Sequence, residues 1–245
     1  GTQLGVQIDA GCTSAVEQYT ASSLLPVTSG VNDLDVDIYA QAVLDILNIT
    51  DVTASAPYVG GETFVIQLWF ENTGGADAVN VDAALDYNGA TGLTESNPDP
   101  IVVPGSGTAY LEFTITIAAG VATQANVDID ADATSAEEDY SGRSLLPQTT
   151  TNQEDLAIDV FAQAVLSITT IADLTASDPY VGGETFNIQV NYQNTGGVDV
   201  TGVDATINFN GATGLSANDP AGVTVAAGGS NSQTFTVIIA AGVAT

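Results

Sequence analysis

Apolar and polar residues alternate along this chain with unusual regularity. In residues 186–193 every even position is apolar and every odd one polar, the period of a strand with one face buried. Residues 203–209 repeat the alternation after Asn194-Thr195-Gly196-Gly197, and residues 234–237, 127–132 and 156–160 continue it. Clusters of Gly, Asn, Asp and Pro between these runs read as turns. No window has a clear helical period, although residues 163–166 and 41–44 fit either element. Short alternating strands with regular turn signals predict an all-β chain built as a β-sandwich.

The pattern is written twice. Pro57-Tyr58-Val59-Gly60-Gly61-Glu62-Thr63-Phe64 returns as Pro179-Tyr180-Val181-Gly182-Gly183-Glu184-Thr185-Phe186. Asn72-Thr73-Gly74-Gly75 returns as Asn194-Thr195-Gly196-Gly197. The copies lie 122 positions apart (179 − 57, 194 − 72). A fixed period marks a modular array, and this one is long enough for each unit to be a small domain with its own core.

Composition narrows the function. Hydrophobic residues make up 44% of the chain, above the disordered range. Thirty carboxylates face one cation, Arg143, for a formal net charge of −29. Nucleic acid and anionic membrane are excluded as partners, because both need clustered Lys or Arg. No apolar run is long enough to span a bilayer as a helix. With no Lys the chain cannot form Lys–Asn isopeptide cross-links, and with no His it cannot build a His-based triad or zinc site. The Gly-Gly pairs lack any following helix or cation to meet phosphate. Cys12 is the single cysteine, so no internal disulfide forms, and it reads as a small buried hydrophobe. Nothing points to an enzyme.

Val181-Gly182-Gly183-Glu184-Thr185-Phe186, the strand ending Asn194-Thr195-Gly196, and Gly228-Gly229-Ser230 before residues 234–237 resemble the immunoglobulin-like (Ig-like) repeats of prokaryotic surface proteins. The nearest named family is the bacterial cell-adhesion-related domain. That resemblance implies a seven-stranded Ig-like sandwich, used as a tandem extracellular module at the cell surface, with no catalytic residues. In such modules the Pro-Tyr-Val-Gly-Gly stretch follows the first strand. Residues 6–10 then parallel 127–131, and residues 34–38 parallel 156–160. The chain is thus expected to be cut out of phase with its domains. Residues 1–45 supply closing strands to a module of a neighbouring copy, 46–166 form a complete sandwich, and 167–245 lack their last strands. The inter-copy strands would present Val6, Ile8, Leu34, Val36 and Ile38.

The expected partner is therefore the chain itself, in a head-to-tail homopolymer such as an extracellular filament or stalk. An adhesin or glycan-binding module, and a surface-layer lattice, are the alternatives. Trp69 with Tyr58 and Tyr180 is the candidate aromatic platform for glycans. Val65 and Trp69 alternate outward where the second copy has Asn187 and Asn191, which suggests a lateral contact. No cofactor is implied, although an oxygen-rich, cation-poor surface can recruit calcium. Asp128, Asp130 and Asp132, with Asp139 further on, have the spacing of a calcium loop, yet the intervening Val127, Ile129 and Ala131 fit a strand. A looser site would draw on Asp33, Asp37, Asp155 and Asp159. Asn48-Ile49-Thr50 is a glycosylation sequon.

Overall fold

The computed structural model describes residues 1–28, 34–150, 154–176 and 178–242. Among these the chain is all-β, with no helix, and its strands form several sheets. Asp33 lies outside the described residues.

Strands β1 (Gln3–Ile8) and β2 (Leu34–Ile38) pair antiparallel as a two-stranded ribbon, with Val6 opposite Val36 and Ile8 opposite Leu34. The next nine strands build a two-layer sandwich. One layer runs β3 (Leu44–Asp51), β5 (Thr63–Asn72), β9 (Gly107–Ile117), β7 (Leu93–Glu95). The other runs β4 (Tyr58–Val59), β11 (Leu156–Phe161), β10 (Gln124–Glu138), β6 (Ala78–Asp86), β8 (Ile101–Val103). Alternate residues of both layers point inward, so Phe64, Ile66, Leu68 and Phe70 of β5 meet Val127, Ile129 and Ala131 of β10 in one core. The 15-residue β10 serves two partners: residues 124–129 pair with β11 and residues 130–138 with β6.

The first layer recurs beyond residue 165. Strands β12 (Leu166–Asp173), β13 (Thr185–Asn194), β17 (Ser230–Ile239) and β15 (Leu215–Ala217) stand in the same order as β3-β5-β9-β7. Among the described residues the opposing layer is β14 (Val200–Val203) with β16 (Val223–Val225). Residues 204–209, expected as strand from their alternation, are not one. Residues 82–86, the counterparts of 204–208, are held by the ladder to β10, and no described strand takes that place beside β14.

Burial registers the difference directly. Leu44, Ile46 and Ile49 of β3 are 4%, 2% and 6% exposed, whereas Leu166, Ile168 and Ile171 of β12 are 41%, 57% and 64% exposed. The same alternation thus packs a core in one copy and faces solvent in the other. Ile46→Ala should cost the protein about 2–5 kcal/mol in denaturant melts, while Ile168→Ala should change stability by less than about 0.5 kcal/mol.

Candidate functional site

Two features stand out: a joint where the extended linker between β2 and β3 crosses the end of the sandwich, and a pair of uncovered apolar faces. The linker of the joint is Ala40-Gln41-Ala42-Val43. The repeated Asn-Thr-Gly-Gly motif cradles it. Asn72 accepts the Val43 and Gly74 backbone N–H groups on Oδ1, at 3.1 and 3.0 Å, and donates through Nδ2 to the Ala76 carbonyl. A Cβ on Gly74 would collide with the Gln41 carbonyl oxygen, so only glycine lets the linker pass this close. Asn194 makes the corresponding bonds to Val165 and Gly196. A Cβ on Gly196 would likewise collide with the Gln163 carbonyl. Thr2 Oγ1 accepts the Ala40 N–H as Thr123 Oγ1 accepts that of Ala162.

The single cation completes the first joint. Arg143 pairs with Glu138 at 3.0 Å, and the two together grip the backbone of one residue, Ala42. The Ala42 N–H donates to Glu138 Oε1 at 2.6 Å, while Arg143 Nη2 donates to the Ala42 carbonyl at 2.9 Å. Ser141 Oγ donates to the other carboxylate oxygen. Hydrogen bonds from Arg143, then Ser141 and the Ala42 N–H, hold the Glu138 carboxyl down at about 2 from an ordinary 4.5. Tyr39 stacks on Tyr140 with ring centroids 5.3 Å apart, beside a cleft of about 600 Å³ lined by Asp37, Gln41, Ala76 and Asp139. None of this was visible from the sequence. The signal available was that Arg143 is the chain's only cation.

The second feature is exposure of the β1–β2 ribbon. Ile8 is 51% and Ile38 49% exposed, while their counterparts Ile129 and Val160 are fully buried. Leu34 is exposed and Val6 and Val36 are half-buried. Cys12 is exposed as well, with Sγ 3.1 Å from the Ser14 carbonyl. The expectation of a buried thiol therefore fails, because no described layer covers this ribbon.

The acidic candidates separate. Asp128, Asp130 and Asp132 lie on the continuous strand β10, so no calcium loop forms there. Asp128 and Asp130 instead converge with Asp155, each offering an oxygen within 4.8 Å of the others. One oxygen each of Asp130 and Asp155 is buried without a hydrogen-bond partner. Burial raises the Asp155 carboxyl above its ordinary range, and the charges of Asp130 and Asp128 push the same way against a Thr150 hydrogen bond. This all-oxygen set has the chemistry of a hard-cation site. Asp37 and Asp159 are not part of it: each accepts a backbone N–H, from Gly5 and Asn126 respectively. Asp132 is exposed.

Of the three candidate platform rings, Tyr58 is not exposed. Tyr58 is a core residue, stacked on Phe64 at 4.3 Å, with its hydroxyl donating to Asp51. Burial and that bond push its phenol up to about 12. Tyr180 stacks in the same way on Phe186 and donates to Asp173. Trp69 and Val65 are half-buried on the outer face of β5, and Trp69 leans on Tyr110 of β9 at 4.7 Å. Asn48 is exposed on β3, with Thr50 Oγ1 donating to its side chain.

A depressed Glu138 carboxyl contributes stability at neutral pH that is lost as pH falls from about 4.5 to about 2. Arg143→Ala should therefore melt a few degrees below the parent chain at pH 7. Circular-dichroism melts should show that gap closing across the same acid range; a gap independent of pH would contradict the clamp.

No protein-family model matches the chain, and no curated protein matches it. Among solved structures, a protein of unknown function from Porphyromonas gingivalis W83 is similar over 80% of this chain and 83% of its own, at 13% identity and a TM-score of 0.30. The secreted serine protease VesC from Vibrio cholerae is similar over 81% of this chain, at 13% identity and a TM-score of 0.26. The chain spans 48% of that protease. Likenesses this weak carry no argument about activity.

Proposed function

We propose that this chain is a structural, non-enzymatic repeat of an extracellular prokaryotic filament or surface stalk, in which Ig-like modules are completed head to tail. The observation that carries the reading is the match between two uncovered faces. The ribbon β1–β2 has the register of β10–β11: Val6 opposes Val36 as Val127 opposes Ile158, and Ile8 opposes Leu34 as Ile129 opposes Leu156. The sheet β12-β13-β17-β15 presents the apolar stripe that its counterpart buries beneath β10 and β11. Each chain thus carries one half of a sandwich at each end of the repeat, and each half is the other's complement.

Energetics favour closure. Each aliphatic side chain moved from water into such a core contributes about 1.5–3 kcal/mol. The free edge of β14 (Val200–Val203) is a pairing site that folded proteins rarely leave open. The contact is heterologous, so it propagates instead of closing on itself. The module that completes residues 166–242 belongs to another copy of the unit, on a separate chain or further along a longer one. Dispersed carboxylates keep such a fibre solvated, and the scarcity of cations leaves trypsin-like proteases one cleavage residue.

Concentrating the purified chain should yield unbranched fibres in negative-stain micrographs, with an axial repeat set by two modules. A chain that stays monomeric at every concentration, or assembles as a two-dimensional lattice, contradicts the reading. The denatured mass of the native polypeptide separates the two sources of the completing strands: near 24.8 kDa for separate subunits, several-fold more for a continuous array.

A further inference from the structure

The joint at Ala42 has a copy waiting to be made. Turn 17–22 repeats turn 138–143 bond for bond. The Glu17 N–H donates to the Ser22 carbonyl and the Ala21 N–H to the Glu17 carbonyl, each at 2.9 Å. In the second turn the Glu138 N–H donates to the Arg143 carbonyl at 2.8 Å and the Gly142 N–H to the Glu138 carbonyl at 2.9 Å. Thr20 Oγ1 donates to the Glu17 carboxylate as Ser141 Oγ does to that of Glu138. The bridges flanking the two turns also correspond, Val16 with Ser23 and Glu137 with Ser144. Tyr19 stands where the other turn has Tyr140, and it is 92% exposed.

The receiving surface is equally well formed. Linker residues 162–165 sit on Gly196-Gly197 as residues 40–43 sit on Gly74-Gly75. Phe161 occupies the place of Tyr39, and Ala164 that of Ala42. Ala42 is buried under Glu138 and Arg143, whereas Ala164 is exposed. Among the described residues nothing bonds to the Ala164 N–H or carbonyl, and no ring stacks on Phe161.

We propose that turn 17–22 of one copy clamps the Ala164 peptide of another, with Glu17 accepting the Ala164 N–H and Tyr19 stacking on Phe161. This rests on the head-to-tail reading above and adds its residue-level lock. The lock is incomplete: Ser22 stands where the internal joint has Arg143, so the Ala164 carbonyl receives no guanidinium and Glu17 no paired charge. Joints therefore alternate along the assembly, one gripped by an ion pair and one by a lone carboxylate. The copy-to-copy joint is the weaker of the two and the place where the assembly parts.

Sedimentation velocity of the 245-residue chain over a concentration series measures the joint. Glu17→Ala should weaken association about tenfold, as loss of a charged acceptor does, and Tyr19→Ala by roughly fivefold. Ser22→Arg should tighten association, because it restores the missing half of the clamp. All three positions are exposed in the single chain, so these variants keep the parent's melting curve. Ile8→Asp, on the ribbon's apolar face, tests strand completion itself. Unchanged association in the Glu17, Tyr19 and Ser22 variants, with association abolished in Ile8→Asp, overturns the clamp and leaves head-to-tail completion standing. Unchanged association in Ile8→Asp as well overturns both.

Discussion

Everything in this molecule depends on one requirement of a β-sandwich: each sheet must cover the apolar face of another. Among the described residues the requirement is met in full by one pair of layers. The layer β3-β5-β9-β7 is closed by β10 and β11, and twenty-six buried residues from Ala42 to Val160 form its core. Among the described residues the related layer β12-β13-β17-β15 holds a core cluster of five, Val190, Tyr192, Val203, Val225 and Phe235. The difference is not in the strands, whose order is the same, but in what lies opposite them. A closing pair of strands is what separates a filled core from an open stripe.

The joint between modules follows from the same economy. A linker that leaves one pair of strands and enters the next sheet must keep its backbone bonded while it crosses. Glycines in the Asn-Thr-Gly-Gly motif let it approach, the asparagine side chain bonds it on one side, and Glu138 with Arg143 bonds it on the other. In a chain with thirty carboxylates the lone guanidinium is spent on this peptide. The ion pair is short and its carboxylate is buried, so it acts as a local rivet and not as a diffuse surface attraction.

Strand positions were legible because a period of two is a local signal. Residues 186–193, 127–132 and 156–160 alternate over their whole length, and each lies in a strand with its apolar face inward or aimed at an open side. Residues 203–209 alternate just as well but are strand only at Val203, since a strand also needs a neighbour to bond. The glycine pairs were legible as turns, but not as a cradle for a linker far away in sequence. Long-range geometry was hidden. Glu138 reaches across to Ala42, Asp155 folds back onto Asp128 and Asp130, and Tyr58 turns into the core although the sequence offers it as part of an exposed aromatic platform. Each of these depends on which strands become neighbours, and one-dimensional spacing carries no trace of it.

The central claim is that residues 9–17 of one copy lie beside residues 200–208 of another as residues 130–138 lie beside β6. Within the chain Ala133 pairs with Ala83; the corresponding positions are Cys12 and Ala205. Directly paired residues of antiparallel strands have Cα atoms about 4.5–5.5 Å apart, which suits a disulfide. Ala205→Cys should therefore convert the native Cys12 into half of an intermolecular cross-link. Mild oxidation of the assembled variant followed by non-reducing electrophoresis should give a ladder of dimers, trimers and longer chains that collapses on reduction. Absence of a ladder from assembled protein, or cross-linking no greater than with a cysteine at exposed Thr206, would contradict the account.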